Sequence, residues 1–332
     1  MYYIGSKKRL LPFLKNTIYN VVGTDLSQLT FCDMFAGTGI VGRSFKSEVK
    51  QIIANDWEYY SYVLNKNYIE NHTEITNKQD FIDELNNLPL IDTGFVYQNY
   101  CIGGGTERRY FSDHNGKKID TIRQKIEEWK HSISPTLYFF LLTSLLESAD
   151  IVANTASLYG AYLKHLKKSA QKELVIKSAD FLLNGNKHRV FNMDSNALIS
   201  QIEGDILYLD PPYNHRQYGG DYHLLNTIAR YDCFEPKGKT GRREYQRSLY
   251  CSKNEVQRVF EELIQKAQFN YIFLSYNNEG VLPIEVIQKV MKKYGKYDFT
   301  ITGYQRFKAD RDENRTYKTD KTKEYLHFLE KN

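Results

Sequence analysis

Cysteine and histidine are scarce and scattered in this sequence, and their spacing excludes two kinds of site. The four cysteines, Cys32, Cys101, Cys233 and Cys251, include no C-x-x-C pair, so the sequence indicates neither a zinc ribbon nor a disulfide framework. The eight histidines include no H-x-x-x-H pair that would place two imidazoles on one helical face. We therefore expect no metal site, and we expect reduced thiols in a cytoplasmic protein.

Long apolar runs are also missing. No stretch of the sequence has the length and composition of a membrane span, and the N-terminal segment MYYIGSKKRLLPFL is charged before any apolar run develops. We therefore predict no membrane association. The chain is nonetheless 41% hydrophobic and 14% aromatic, which excludes a disordered protein. Its 332 residues suffice for one large domain or for a core domain with an insertion.

Basic and acidic residues balance each other over most of the chain. The formal net charge is +5, and residues 237–253 account for all of it, because they contain six basic residues and one acidic residue. A concentrated basic loop of this kind suits the phosphate backbone of a nucleic acid. The alternative is a solvated flexible loop with no partner. The basic residues are Lys237, Lys239, Arg242, Arg243, Arg247 and Lys253.

Short, nearly continuous apolar runs recur along the chain and alternate with helical patterns. The runs occupy residues 30–35, 51–54, 205–209 and 271–276. Runs of this kind indicate strands that are buried on both faces of a largely parallel sheet. We predict a doubly wound α/β core.

The C-terminal region and the middle of the chain have different patterns. Residues 297–307 and 324–330 alternate around the charged stretch KADRDENRTYKTDKTK, which predicts an antiparallel hairpin with a long exposed loop. Helical periodicity dominates between about residues 70 and 190. We therefore predict a discontinuous core domain, residues 1–70 and 186–332, with a mostly helical insertion at 71–185. Three consecutive glycines, Gly103, Gly104 and Gly105, predict a mobile loop or hairpin tip near its start.

A glycine-rich turn follows the first predicted strand. The run DMFAGTGIVG, residues 33–42, fits the pattern G-x-G-x-x-G, and Asp56 lies 19 positions after Gly37. Such a turn lets the backbone approach a nucleotide-like ligand, and a carboxylate after the second strand can accept hydrogen bonds from ribose hydroxyls. Nicotinamide enzymes and methyltransferases share this arrangement. A plain strand-to-helix turn can show the same glycines.

The tetrapeptide Asp210-Pro211-Pro212-Tyr213 follows the predicted strand 205–209, and hydride transfer does not require it. The exocyclic amine of adenine is a poor nucleophile, because its lone pair is delocalised into the ring. The Asp210 carboxylate and the Pro211 carbonyl can each accept one N–H hydrogen bond and so aim that lone pair at a methyl donor. Pro211 and Pro212 stiffen the loop, and Tyr213 can stack on a base rotated out of a duplex. The alternative is a rigid turn after an edge strand.

These motifs, in this order, resemble the D12 class of adenine-specific DNA N6-methyltransferases, which includes DNA adenine methylases and the modification enzymes of restriction systems. The resemblance spans nearly the whole chain and implies a Rossmann-like S-adenosylmethionine-dependent methyltransferase sheet. It also implies that the helical insertion is the region that recognises the DNA target. The matching segments are Y-I-G-S-K at 3–7, residues 33–39, N-D at 55–56, N-M-D at 192–194 and D-P-P-Y at 210–213.

The resemblance implies roles for individual residues. Lys7 would meet the carboxylate of S-adenosylmethionine, and Asp56 would accept hydrogen bonds from its ribose hydroxyls. Asp194 would accept the amino group of the cofactor's adenine, although N-M-D-S also fits a helix N-cap. Residues 271–277 resemble the strand that closes the far side of the target pocket. The implied cofactor residues are Tyr3, Lys7, Asp33, Phe35, Gly37, Gly39, Asp56 and Asp194.

Double-stranded DNA is the implied partner, and a cognate restriction endonuclease would belong to the same bacterial or phage system. Contacts to phosphates hold any sequence, whereas contacts to base edges discriminate among sequences. We predict that residues 95–115 read the bases and that the basic loop clamps the backbone. The alternative is that the loop after Tyr213 reads the bases. The predicted base-reading residues are Arg108, Arg109, Tyr110 and Asn115, and the predicted clamp residues are Lys239, Arg242 and Arg243.

Three other functions fit parts of the sequence. Methylation of an RNA adenine, of cytosine N4 or of a glutamine side chain would use a similar proline-tyrosine loop, and Asp at its first position favours adenine. A catalytically idle nucleic-acid-binding protein of the same fold is the second alternative, and the intact Asp210 argues against it. A dehydrogenase is the third, and it would have to bind a nicotinamide cofactor.

Overall fold

The computed structural model describes residues 5–305 and 321–332, so Tyr3 lies outside the described residues. The chain divides into two compact units. The sheet unit comprises Gly5–Asn65, Asn184–Gln217 and Arg247–Asn332, and the described part of the helical unit comprises Lys66–Leu183 and Tyr218–Gln246.

The sheet unit is built on one sheet. Its seven strands in the described residues are β1 Thr30–Asp33, β2 Gln51–Asn55, β3 Arg189–Phe191, β4 Glu203–Leu209, β5 Gln268–Asn277, β6 Gly295–Gln305 and β7 Lys321–Lys331. Their order is β3-β2-β1-β4-β5-β7-β6. Strands β1 to β5 are parallel, and β7 is antiparallel to both β5 and β6. The predicted Rossmann-like α/β fold with a C-terminal antiparallel pair is confirmed.

One strand was not predicted, and one predicted loop is not described. Strand β3 has only three residues, which is too short for an apolar pattern to show. In the C-terminal pair, Phe299 lies opposite His327. Residues 306–320, which form most of the predicted connecting loop, lie outside the described residues, so that loop stays a prediction.

Twelve α-helices occur in the described residues. They are α1 Leu11–Val22, α2 Ile40–Ser44, α3 Tyr59–Asn65, α4 Lys78–Asn87, α5 Phe95–Tyr100, α6 Asp113–Trp129, α7 Pro135–Val152, α8 Ser195–Leu198, α9 Tyr218–Asp221, α10 His223–Arg230, α11 Val256–Lys266 and α12 Ile284–Lys292. In the sheet unit, α11 and α12 bury their apolar faces against the sheet, with Leu263 and Ile287 in one cluster with Leu207 and Ile272. Their apolar residues recur every three or four positions, as burial of one helical face requires.

Helix α7 contradicts the expectation that no segment has the length and composition of a membrane span. Its 18 residues are long and apolar enough to do so, by length and composition alone. However, 67% of this helix is buried inside the protein, including Leu141 and Leu145, which have no exposed surface. A buried core helix passes the same test, so α7 is only weak evidence for a membrane span.

The boundary of the helical unit differs from the predicted boundary of the insertion. Residues 218–246, predicted to belong to the core domain, group with the helical unit. The Arg123 guanidinium on α6 donates hydrogen bonds to the carbonyls of Ile228 and Ala229 at 3.0 and 3.1 Å, at the end of α10. The Tyr231 hydroxyl donates to the buried Asp120 carboxylate at 2.6 Å. These interactions between distant parts of the chain leave no local sequence signal.

The three consecutive glycines do not form the predicted hairpin tip. Gly103 and Gly104 lie in a 3-10 turn, Ile102–Gly104, that follows α5. A Cβ atom added to Gly104 would lie 2.1 Å from the carbonyl oxygen of Tyr97, and one added to Gly103 would lie 2.5 Å from an Asp113 carboxylate oxygen. Glycine is required here because the turn packs directly against its neighbours.

Candidate active site

Adjacent strands bring two of the predicted motifs to one edge of the sheet. Strands β1 and β4 are neighbours in the sheet. On one side of this pair the sheet extends from β1 to β2, and on the other side it extends from β4 to β5, so the strand order reverses between β1 and β4. Open α/β sheets bind ligands outside the carboxyl ends of the strands at such a point. The glycine turn follows β1 and Asp210 follows β4, with Asp33 and Tyr208 paired in register. The candidate active site therefore lies at this edge of the sheet unit.

Polar side chains hold the glycine turn through the backbone of one residue, Gly37. Gly37 and Gly39 have φ angles of 52° and 71°, in the left-handed region that favours glycine. Asp56 accepts a hydrogen bond from the Gly37 N–H at 2.7 Å. The Gly37 carbonyl accepts hydrogen bonds from Ser61 Oγ and from Asn65 Nδ2, the latter at 3.1 Å. Sequence reasoning missed Ser61 and Asn65, whose i, i+4 spacing on α3 was the available signal.

Two carboxylates flank this turn in different environments. Asp33 is 1% exposed and accepts a hydrogen bond from the Gly42 N–H at 2.9 Å, within the first turn of α2. Burial raises the pKa of Asp33 to about 7, although that hydrogen bond opposes the shift. Burial also raises the pKa of Asp56, against hydrogen bonds from the N–H groups of Glu58 and Gly37. Asp56 is partly exposed and Asp33 is not, so Asp56 is the one placed to meet a ligand.

Asp210 presents a buried acceptor at the end of β4. Its side chain is 18% exposed, and its Oδ1 atom is buried. The Lys7 ammonium forms an ion pair with this oxygen at 3.1 Å. Burial raises the pKa of Asp210 to about 6, Lys7 lowers it, and Glu324 raises it. A carboxylate oxygen can accept more than one hydrogen bond, so Oδ1 can accept an N–H from a ligand as well as interact with the ammonium.

Two buried carboxylates share the Lys7 ammonium. The Lys7 side chain is 4% exposed, and its Nζ lies 3.1 Å from Asp210 Oδ1 and 2.8 Å from Glu324 Oε1. Burial lowers the pKa of Lys7, but the two carboxylates outweigh burial and raise the pKa well above its usual value. An ammonium held in this way is not free to meet the carboxylate of a cofactor, contrary to the prediction. Sequence reasoning also missed Glu324, which follows Lys7 by 317 positions.

Tyr213 and Tyr276 form the aromatic part of the site. Their ring centroids are 6.0 Å apart in an edge-to-face arrangement, and Lys7 Nζ lies 5.6 Å from the centroid of Tyr213. The Tyr276 hydroxyl accepts a hydrogen bond from the Leu282 N–H at 3.1 Å, and the Tyr213 carbonyl accepts one from the Val281 N–H at 2.8 Å. Strand β5 thus places a fixed ring beside the half-buried Tyr213.

Asp194 caps a helix in the structure. Its Oδ1 atom accepts hydrogen bonds from the N–H groups of Asn196 and Ala197, both at 3.0 Å, at the start of α8. This is the alternative that the sequence left open. Phe35 is half-buried and packs edge-to-face against Tyr250, with centroids 5.1 Å apart. Contacts of Asp194 and Phe35 with a cofactor stay predictions.

Comparison with protein families decides among the enzyme classes. Residues 3–290 match the family model of the D12 class N6 adenine-specific DNA methyltransferases. The chain belongs to this family. It is therefore an adenine-specific DNA methyltransferase with S-adenosylmethionine as its cofactor, and the dehydrogenase alternative is wrong.

Known relatives resemble this methyltransferase over its full length. The Type II methyltransferase M.NlaIII of Neisseria lactamica is 58% identical over 333 residues, covering 100% of this chain and 99% of the relative. M.FokI of Planomicrobium okeanokoites is 38% identical, and this chain spans 53% of its length. M.CviAII of Paramecium bursaria Chlorella virus 1 is 36% identical over 92% of each chain. A solved structure, the magnesium protoporphyrin IX methyltransferase of Synechocystis PCC 6803 with bound SAM, is 10% identical with a TM-score of 0.34, covering 97% of this chain and 78% of that chain.

Two residues of the methyltransferase that were predicted to read bases are buried in the helical unit. Tyr110 and Asn115 have no exposed surface. The Tyr110 hydroxyl donates to the Tyr159 carbonyl at 2.7 Å. The Asn115 side chain donates to the Lys172 carbonyl and accepts from the Leu174 N–H, both at 2.9 Å. Neither side chain is placed to contact a base edge, contrary to the prediction, because internal hydrogen bonds occupy its polar group.

Arg108 and Arg109 bind backbone carbonyls. Arg108 donates to the carbonyls of Asn99 and Gly238 at 3.0 Å and to that of Lys239 at 3.3 Å. Arg109 donates a hydrogen bond to the carbonyl of Lys164 at 2.5 Å. In this structure Arg108 therefore supports the basic loop and is not free to read a base, contrary to the prediction, whereas a role for Arg109 in reading bases stays a prediction.

The three predicted clamp residues differ in how freely they can meet DNA. Arg243 forms two hydrogen bonds with the Asp232 carboxylate, at 2.7 and 2.8 Å, and lies over the Phe234 ring. Its side chain is 12% exposed. Arg242 is half-buried, whereas Lys239 is exposed at the turn of the loop. Lys239 is therefore best placed to contact a phosphate.

A second basic segment of the helical unit, residues 161–172, was missed by sequence reasoning. It contains four lysines, one histidine and no acidic residue. Lys164, Lys168 and Lys172 are exposed. The signal that could have identified this segment is its local density of positive charge. The net charge of all residues outside the basic loop is zero, and that total hides the local density. No group of His, Cys, Asp and Glu in the described part of the chain could hold a metal ion.

Proposed function

We propose that this DNA methyltransferase is the modification enzyme of a restriction-modification system, acting on adenine within a specific sequence of double-stranded DNA. Its relatives support this proposal, since they carry the name Type II methyltransferase and come from bacteria and a virus. A cytoplasmic location and a cognate endonuclease are expected with that role. The observation that supports the catalytic assignment is the buried Asp210 Oδ1, a carboxylate oxygen at the carboxyl end of β4 that the Lys7 ammonium holds at 3.1 Å.

In the proposed mechanism, the loop after β4 prepares the target amine. Asp210 Oδ1 accepts one N6–H and the Pro211 carbonyl accepts the other, so that the nitrogen lone pair points away from the ring. Tyr213 stacks on the adenine, which has been rotated out of the duplex. When bound, S-adenosylmethionine supplies the methyl group from its sulfonium sulfur.

The glycine turn fits the cofactor. The left-handed conformations at Gly37 and Gly39 leave the backbone bare of side chains, so a ligand can approach it closely. Asp56 is partly exposed. Its Oδ2 atom accepts a hydrogen bond from the Gly37 N–H and its Oδ1 atom accepts one from the Glu58 N–H, and each oxygen can accept a second hydrogen bond. We therefore propose that Gly37 and Gly39 line the methionine side of the cofactor and that Asp56 accepts its ribose hydroxyls.

Methyl transfer is expected to slow as the pH falls through about 6, the pKa of the Asp210 carboxyl. Only the ionised carboxylate is a strong acceptor for the amine, so the rate should fall about tenfold for each further pH unit. Single-turnover rates between pH 5 and 8 would measure this dependence. An unchanged circular dichroism spectrum at pH 5 excludes acid unfolding, and a constant rate down to pH 5 would contradict the assignment.

Lys239→Ala is expected to weaken DNA binding to a similar extent on cognate and unrelated duplexes, since an interaction with a phosphate carries no sequence information. The slope of log affinity against log salt should flatten by about 0.9, the value expected when one lysine no longer neutralises a phosphate. Binding titrations at several salt concentrations would test this. Lys289→Ala, which removes an exposed lysine from α12, is the matched control. A loss of affinity confined to the cognate duplex would instead show that Lys239 reads a base.

The proposed function as a whole is tested by digestion of the methylated product. The purified protein is incubated with methyl-labelled S-adenosylmethionine and duplex DNA, and the DNA is then digested to nucleosides. Label should appear in N6-methyl-2′-deoxyadenosine, and only with duplexes that contain one particular sequence. Label in another nucleoside, or transfer to RNA in preference to DNA, would refute the proposal.

A further inference from the structure

A row of buried charged side chains continues beyond Asp210. The Lys7 ammonium lies between Asp210 Oδ1 and Glu324 Oε1, and Ser275 Oγ donates a hydrogen bond to Glu324 Oε1 at 3.2 Å. Glu324 lies on β7, opposite Asn277 of β5. The side chains of Lys7 and Glu324 are each 4% exposed, so little water screens their interaction.

A role in stability alone is a poor explanation for this arrangement. Burial of two carboxylates and one ammonium costs desolvation energy that their attraction often fails to recover, so buried ion pairs are weak evidence for stabilisation. A purely apolar cluster at this position would be as stable or more so. The row ends at Asp210, the residue of the three at which the target amine is proposed to bind.

We propose that Glu324 is a positioning residue for methyl transfer, which acts by holding the Lys7 ammonium against Asp210 and by sharing the charge of that ammonium. The first effect fixes the orientation of the carboxylate that receives the target amine. Because Glu324 shares the charge of the ammonium, Asp210 Oδ1 is a stronger acceptor than it would be if Lys7 interacted with Asp210 alone. This inference rests on the proposed role of Asp210 at the target amine.

The charged groups around Asp210 predict the direction in which each variant shifts the pKa of Asp210, and that direction can be measured. Glu324 raises the pKa of Asp210 and Lys7 lowers it, while burial makes the largest contribution and raises it. Loss of the Glu324 charge should therefore lower the pKa of Asp210, and loss of the Lys7 charge should raise it. The polar and titratable groups that surround Asp210 and Lys7 are Lys7 before α1, Asp33 on β1, Tyr208 on β4, Tyr213 after β4, Ser275 on β5 and Glu324 on β7.

The test is the pH dependence of the single-turnover rate in full-length variants. Glu324→Gln should move the acid limb of the profile to lower pH, and Lys7→Met should move it to higher pH. Both should lower the plateau by about 10- to 100-fold, because displacement of a reacting group by about 1 Å can cost on the order of 100-fold. The dissociation constant of S-adenosylmethionine should stay within about twofold, since the row does not include the glycine turn.

Two further variants keep the proposal falsifiable. Glu324→Asp retains the charge but shortens the side chain, so it should lower the plateau and leave the acid limb in place. This variant tests the proposal even if Glu324→Gln folds poorly. Glu330→Gln changes an exposed carboxylate of the same strand and should leave both features unchanged. Acid limbs that coincide in all variants, or that move in one direction for Glu324→Gln and Lys7→Met, would overturn the inference. Normal turnover in Asp210→Ala would instead remove the proposed function itself.

Discussion

Replacing Asp210 with alanine is expected to reduce methyl transfer by about 100- to 1,000-fold, because the variant loses a preorganised acceptor at the target amine. Removal of a single preorganised group that stabilises transition-state charge has costs of this size in other enzymes, about 3 to 4 kcal/mol. Single-turnover transfer of labelled methyl groups into duplex DNA measures the loss directly. Asp210→Asn should fail almost as badly, because an amide oxygen accepts more weakly than a carboxylate and its NH2 group can face the amine.

The Asp210 result is informative only if the variant protein is folded. The affinity for S-adenosylmethionine, measured by calorimetry, should stay close to normal, since Asp210 acts on the target base. Because Lys7 keeps Glu324 as a partner at 2.8 Å, the alanine variant leaves no buried ammonium without a carboxylate. Near-normal turnover in a folded alanine variant would contradict the proposed mechanism.

Asp56→Ala is expected to raise the dissociation constant of S-adenosylmethionine by about 10- to 100-fold. The variant loses charge-assisted hydrogen bonds to the ribose, worth about 1.5 to 3 kcal/mol, together with the hydrogen bond that Asp56 accepts from Gly37. Calorimetric titration with the cofactor measures the change. Asp298→Ala removes an exposed carboxylate from β6 and is the matched control.

DNA binding separates a local effect of Asp56→Ala from misfolding. Affinity for duplex DNA in the absence of cofactor should barely change, because Asp56 is proposed to contact only the cofactor. A parallel loss of cofactor affinity and DNA affinity would indicate a damaged fold and would remove the support for Asp56 as a ribose acceptor.

The parts of the fold and site that could be predicted are those whose signal is local. Continuous apolar runs gave β1, β2, β4 and β5 because strands buried on both faces leave an unbroken pattern. The glycine turn and the D-P-P-Y loop were readable because their chemistry needs particular residue types at adjacent positions. The partners of Gly37 on α3 were less visible, since Ser61 and Asn65 are common helix residues that gain meaning only through the turn they contact.

The parts that could not be predicted depend on interactions between distant segments. Tyr110 and Asn115 look like surface residues in a polar stretch, yet tertiary packing buries both. Arg108 and Arg243 look like free cations, yet backbone carbonyls hold the first and Asp232 holds the second. Composition reports the charge of a segment but not whether that charge is already neutralised within the protein.

The ion pair between Lys7 and Glu324 has a consequence for how the enzyme is made. The two residues are separated by 317 positions, and β7 is the last strand of the sheet to leave the ribosome. At about 5 to 20 residues per second, translation places the first residue roughly 15 to 60 seconds ahead of the second. A nascent chain can thus contain the glycine turn and Asp210 while the partner of its lysine has not been synthesised. On the proposed mechanism, full activity toward DNA would be reached only after β7 has been synthesised.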